Sequence, residues 1–265
     1  MLVSDLLQKL EILWPSESAD DWDRPGLSVG SSSVEITKVL LSVDVTKGVV
    51  EEAIALGCNL IVSHHPLLLR GVNQVSSESL KGPILELAIK NDVVIFSAHT
   101  NADKAEIGTA MALARLFGLS VKTRLNPISG HGVIGELPSP MKLIEFSTKV
   151  ARVLPAVAAG VKVAGNPEQL VQRIAIAPGA GDSETGQALA ASVDVFITSD
   201  LRHHPSQDFM ETPSSRPKAL IDVSHWASEY SLLPEAKLAI ERFFPGLEVL
   251  ISELKTDPWD FAVMQ

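Results

Sequence analysis

Cys58-Asn59-Leu60-Ile61-Val62-Ser63-His64-His65-Pro66 is the stretch on which the fold class turns. Leu60, Ile61 and Val62 are too uniformly apolar to alternate and too few to make a helix, so the run reads as a strand buried on both faces. Neighbouring side chains on a strand point to opposite faces, so two adjacent imidazoles converge only where the strand has ended. Pro66 supports an end there, because it removes an amide donor and holds His65 extended or in a turn. The pair therefore falls at the carboxyl end of a strand, where open α/β sheets place their ligands. Convergent imidazoles at that place suggest a metal site; the competing reading is two loop histidines at the surface.

Outward from this stretch the N-terminal half alternates strands and helices. Val39–Val45 reads as a strand and Lys47–Leu56 as a helix stopped by Gly57. After the Leu60–Val62 strand comes a loop rich in Gly, Asn and Ser from Arg70 to Ser79, a helix from Pro83 to Lys90 and a strand from Val93 to Ser97. A helix from about Ile107 to Phe117 stops at Gly118. Such alternation, with uniformly apolar strands, predicts a largely parallel sheet covered by helices. Met1–Pro15 reads as an amphipathic helix with Leu2, Leu6, Leu10 and Leu13 on one face.

Leu125–Pro140, with Asn126-Pro127, Gly130, Gly132, Gly135, Pro138 and Pro140, is the best candidate for a domain boundary. Beyond it, 143–154 reads as a helix, 173–177 as a strand, 184–192 as a helix, 194–198 and 218–223 as strands, with a helix from about Trp226. The expected division is a first α/β lobe over residues 1–126, completed by 222–265, and a second over 127–221.

Three further polar clusters follow apolar strands. Ser97-Ala98-His99-Thr100-Asn101-Ala102-Asp103 leaves its strand much as His64-His65 does, so His99 and Asp103 would approach the histidine pair if the strands are neighbours; the alternative is a turn in which Asn101 and Asp103 cap the next helix. His225 and Glu229 are four apart, and on a helix they project from one face, able to grip a metal ion or to form a surface pair. Asp200-Leu201-Arg202-His203-His204-Pro205 repeats His-His-Pro, but Arg202 is a poor neighbour for a cation, so substrate binding, proton transfer or an interface suits it better. Ala177–Ser183 is a glycine-rich turn that either cradles an anion or merely turns tightly; it matches neither a Walker nor a Rossmann fingerprint.

Composition narrows the classes. The 265 residues are 46% hydrophobic, enough for a sizeable core in one large domain or two modest ones. A net charge of −10 argues against bulk nucleic-acid binding, which depends on Lys and Arg at phosphates. Cys58 is alone, so no intrachain disulfide forms, and the thiol reads as a small buried hydrophobe. No apolar run approaches a membrane span and the N-terminus lacks the pattern of a signal peptide, so the expectation is a cytoplasmic protein without a membrane partner. Imidazoles and carboxylates without thiolates suit zinc, manganese or iron.

These strings together resemble the NIF-three-like family, also called GTP cyclohydrolase I type 2 homologues. The matching segments are Asp21-Trp22-Asp23, Gly26-Leu27 with Gly30, Leu41–Thr46, Ile61–Leu67, Ser97–Asp103, Gly135–Pro138, Val195–Thr198, His203-His204 and Asp222–Glu229. Thr256-Asp257-Pro258-Trp259 and Ser199-Asp200-Leu201-Arg202-His203-His204 look like an actinobacterial branch, and the short Pro140–Gln172 interval leaves no room for the large domain that some relatives insert. The resemblance implies two interlinked α/β lobes with mainly parallel sheets flanked by helices. It also implies a toroidal homohexamer and two divalent metal ions per chain on His64, His65, Asp103, His225 and Glu229. Many relatives place Gly-Glu where this chain has Ser199-Asp200. On this reading the protein is a metal-dependent hydrolase of a nucleotide-like or phosphoester small molecule, with His99, Asp44, His203 and His204 as candidates to move protons. The alternative is a non-catalytic metal-stabilised ring that binds a protein or nucleic-acid partner.

Overall fold

The computed structural model describes residues 1–263. Its strands are β1 Gly26–Val29, β2 Lys38–Ser42, β3 Leu60–Ser63, β4 Val94–Ser97, β5 Ser120–Arg124, β6 Val133–Lys142, β7 Lys162–Ala164, β8 Leu170–Ala180, β9 Val195–Ser199, β10 Ala219–Val223 and β11 Glu248–Ile251. The helices are α1 Val3–Leu13, α2 Lys47–Leu56, α3 Gly82–Lys90, α4 Thr100–Asp103, α5 Thr109–Leu116, α6 Leu143–Val153, α7 Thr185–Ala190, α8 His203–Glu211, α9 His225–Glu229 and α10 Leu232–Phe243. They form two compact α/β units, each a sheet flanked by helices: Met1–Ile107 with Leu233–Thr256, and Gly108–Leu232 with the segment from Asp257.

The first unit holds the sheet β1-β4-β3-β2-β11, in which β4, β3, β2 and β11 are parallel and β1 runs antiparallel along β4. Every residue of β3 and β4 is buried, as the apolar runs predict. Each such Leu, Ile or Val contributes roughly 1.5–3 kcal/mol by leaving water. The register sets Ser42 opposite Ser63 and Ser63 opposite Ser97, so three parallel strands end in line. Whatever follows them leaves the sheet at one edge. Helix α2 forms where the sequence places it: the Thr46 hydroxyl accepts from the Val49 amide at 3.2 Å, Val49, Val50 and Ala53 face the core, and Gly57 ends it at φ 71°. Cys58 is buried, which pushes its thiol pKa up and makes it a packing residue. In α1 the buried face is Val3, Leu6 and Leu10; Leu2 lies before the first helical turn and is 42% exposed.

The second unit holds the sheet β5-β6-β8-β9-β10-β7. Here β8, β9 and β10 are parallel, while β5, β6 and β8 form an antiparallel meander and β7 is antiparallel to β10, so this sheet is mixed. The Gly- and Pro-rich stretch read as a boundary is a hairpin inside this unit. Arg124 pairs with Val133, and Gly130 and Gly132 turn the chain at φ 82° and 67°. A Cβ at Gly132 would stand 2.7 Å from the Ile176 carbonyl oxygen. Pro138 and Pro140 fall where the β6–β8 register breaks between Glu136 and Met141, where a missing amide costs no ladder bond. The division expected at 126 and 221 accordingly lies at 107 and 232, and the segment that returns to the first unit is 233–256 rather than 222–265.

Candidate metal centre

At the carboxyl edge of the first sheet the chain turns sharply after β3. The His64 and His65 amides donate to the Ser42 and Val43 carbonyls at 3.0 and 2.8 Å, and the Ser63 hydroxyl donates to the His65 carbonyl at 2.9 Å. Both histidines are thereby held at the strand end, as the sequence predicts. His64 is buried and His65 half-buried. His99, just past β4, joins them: the ring centroids lie 5.0 Å (His64–His65), 5.2 Å (His64–His99) and 5.4 Å (His65–His99) apart. One ligand nitrogen from each of the three lies within 4.8 Å of the others. Asp103, at the end of α4, brings Oδ1 to 3.6 Å from His64 Nε2.

What surrounds the rings decides which nitrogen each offers. His64 Nδ1 is 3.0 Å from the Ala98 carbonyl, which only accepts, so Nδ1 carries a hydrogen and Nε2 is the nitrogen turned towards Asp103. His65 Nδ1 donates to Asp44 Oδ1 at 2.7 Å, and the other Asp44 oxygen accepts from the Thr256 hydroxyl. His99 Nδ1 donates to Asp23 Oδ1 at 2.8 Å. Asp23 Oδ2 accepts from the Thr100 amide at 2.9 Å and its hydroxyl at 2.6 Å. Burial pushes the Asp23 carboxyl up, but hydrogen bonds from His99 and Thr100 and the His99 charge outweigh it and hold the group well below the usual carboxylate range.

The second unit repeats the arrangement. Ser224 caps α9 by accepting from the Ala227 amide at 3.2 Å, which fixes His225 on the first helical turn with Glu229 one turn on. His225 Nδ1 donates to Asp200 Oδ2 at 2.7 Å, and Nε2 stands 3.0 Å from Glu229 Oε1. Burial alone would lower the His225 pKa; the Glu229 charge and the bonds to Asp200 and Glu229 push it up to about 11. The imidazolium and the Glu229 carboxylate therefore pair through Nε2 and Oε1. Gly179, at φ 69° in β8, faces this pair: a Cβ there would lie 2.5 Å from Glu229 Oε1 and 3.3 Å from His225 Nε2. Its amide donates to the Ser228 hydroxyl at 3.1 Å, so this part of the glycine-rich turn serves close approach to α9.

Four histidines thus share one pattern, Nδ1 held by a carboxylate or carbonyl and Nε2 directed elsewhere, which is how proteins orient imidazole ligands. This donor set fits zinc, manganese or iron. Sequence reasoning missed three parts of it: Asp23, 76 residues from His99; the bond of Asp200, read only with the His203-His204 cluster, to His225; and the space left by Gly179. Only the Asp21-Trp22-Asp23 string hinted at the first. Asp44 orients His65. His203 and His204 sit exposed on the first turn of α8 with ring centroids 5.1 Å apart, and neither belongs to a group of three ligand-type side chains among the described residues. Arg202 is paired with Asp182 at 2.6 Å.

Fold and rings define a class: an α/β protein with clamped imidazoles at the ends of its strands. The Duf34/NIF3 (NGG1p interacting factor 3) family model matches residues 1–258, and the chain belongs to that family. It is 40% identical to a GTP cyclohydrolase 1 type 2 homolog of Streptomyces coelicolor over 97% of this chain and 93% of that one. A Mycobacterium tuberculosis protein with the same description is 28% identical over 370 aligned positions, covering 97% of this chain and 96% of that one. That relative therefore carries a long segment that these 265 residues lack. A Staphylococcus aureus hypothetical protein of known structure superposes with a TM-score of 0.90 at 29% identity over 99% of both chains. No helix among the described residues is long and apolar enough to cross a membrane.

Proposed function

We propose that the protein is a metal-dependent hydrolase of a nucleotide-like or phosphoester small molecule, with His64, His65, Asp103, His225 and Glu229 as ligands of two divalent ions. The observation that carries this reading is the common clamp on Nδ1, which presents Nε2 as a donor next to a carboxylate at both His64 and His225. The curated relatives' description as GTP cyclohydrolase 1 type 2 homologs supports a purine nucleotide among the substrates to try. Two bound ions would supply Lewis acidity and a water acidic enough to attack near neutral pH.

The chain's own groups would do the rest. Asp44 and Asp200 hold the tautomers of His65 and His225. His99 is the group best placed to hold or move a proton, because the Asp23 carboxylate holds the hydrogen on Nδ1 and fixes the ring beside His64 and His65. His203 and His204, exposed on α8, would meet the leaving portion of a substrate or a second chain. The family resemblance also supports a homohexamer, which light scattering would weigh.

The test is hydrolysis of GTP and bis-p-nitrophenyl phosphate by protein loaded in turn with zinc, manganese and iron. The reading expects turnover that a chelator abolishes and that Glu229→Gln and His65→Ala both remove, with His65→Ala also losing at least one ion per chain. Loaded protein holding two ions yet turning over neither substrate class would point instead to a ring that binds a partner.

A further inference from the structure

Immediately beyond the histidine pair, the loop from Pro66 to Lys81 walls a cavity of about 700 Å³. Pro66, the residue after His65, lines it, with Leu69, Arg70, Val72, Leu80 and Lys81. We propose that this cavity binds a phosphate-bearing molecule of nucleoside-monophosphate size, with Arg70 and Lys81 holding the phosphate and the apolar side chains covering a planar ring. It deepens the hydrolase reading, on which it rests for the fate of the ligand.

Charge is the first argument. The chain is strongly acidic, at −10, and most cations near an acid are paired: Lys38 with Glu248, Lys90 with Glu86, Lys104 with Asp20, Arg202 with Asp182. Arg70 and Lys81 are different, since neither side chain makes a hydrogen bond or ion pair among the described residues. Two such cations share one cavity, and Glu78, the acid of the same loop, does not line it. An arginine fork and a lysine point charge together suit a phosphate dianion.

The wall itself is the second. The Ser79 hydroxyl donates to the Ser76 carbonyl at 2.9 Å and accepts from the Ser76 and Gly82 amides at 3.2 and 3.1 Å, closing the loop on itself. A Cβ at position 82 would stand 1.8 Å from the Ser76 carbonyl oxygen, so only glycine permits this closure. Leu69, Val72 and Leu80 are 37%, 39% and 89% exposed, apolar surface that a ring would take out of water. The volume lies within the usual range for small-ligand cavities, roughly 300–1,000 Å³.

Calorimetric titration of the metal-loaded full chain with guanosine 5′-monophosphate, guanosine and inorganic phosphate tests the proposal, alongside Arg70→Ala, Lys81→Ala, the double variant and Arg70→Lys. Binding of the monophosphate should fall at least tenfold in the double variant and partly in Arg70→Lys. Guanosine should bind all forms alike, and added sodium chloride should weaken wild type more than the double variant. Metal content should stay unchanged throughout. A double variant that binds the monophosphate as well as wild type does, or wild type that does not bind it, overturns the cavity. Failure of the hydrolase reading looks different: no turnover and no metal, with monophosphate binding that still depends on Arg70 and Lys81.

Discussion

Gly179→Ala is a substitution at a residue outside the proposed ligand set, yet it should empty part of the proposed metal centre. The new Cβ would stand 2.5 Å from Glu229 Oε1, whereas ordinary contact begins at 3.4 Å, so the carboxylate must retreat by 0.9 Å, the difference of the two. Metal–ligand distances tolerate only about 0.2 Å. The left-handed backbone at φ 69° adds a strain of roughly 1–2 kcal/mol for any residue with a Cβ. Expected together are loss of at least one ion per chain, read by elemental mass spectrometry after equilibration with zinc or manganese, and a modest drop in the urea midpoint. Gly186→Ala is the control. Position 186 lies in α7 with an ordinary φ and open space around its Cβ, so the same chemical change should leave metal content intact and raise stability by about 0.4–1 kcal/mol. A Gly179→Ala protein that keeps the wild-type metal content and affinity would refute the assignment of Glu229 as a ligand held against β8.

Asp200→Ala removes the acceptor on His225 Nδ1 and should weaken metal affinity about 10–100-fold with little change in fold, measured by competition with a chromogenic chelator. Asp23→Asn should cost about 1.5–3 kcal/mol at pH 7, because the buried carboxylate accepts charge-assisted bonds from His99 and Thr100. The folded-state pKa of Asp23 is depressed, so its contribution is present above the unfolded carboxylate pKa and fades as pH falls below it; urea melts at pH 7 and pH 3 should show the gap between wild type and variant narrowing.

Local signals in this chain were legible and distant ones were not. The run 60–66 announces a buried strand and a turn that brings out two imidazoles, and the structure places both where that reasoning puts them. Thr46 and Gly57 mark both ends of α2 because capping is settled within one turn. The stretch 125–140 misleads because glycine and proline mark any departure from regular backbone; whether that is a linker or a hairpin depends on β8, which pairs with β6 from some forty residues away. The acids that clamp His99 and His225 share that difficulty. Asp23 and Asp200 look like ordinary loop acids until the sheets bring them to an imidazole. Gly179 is subtler, since its function is the room that a side chain would have filled.

The measurement that bears most directly on the central claim is metal per chain, by elemental mass spectrometry on protein purified without an affinity tag or chelator. Two divalent ions per chain in wild type, and fewer in His65→Ala, is the expected result. Wild-type protein that holds no metal even after incubation with zinc, manganese and iron would contradict it.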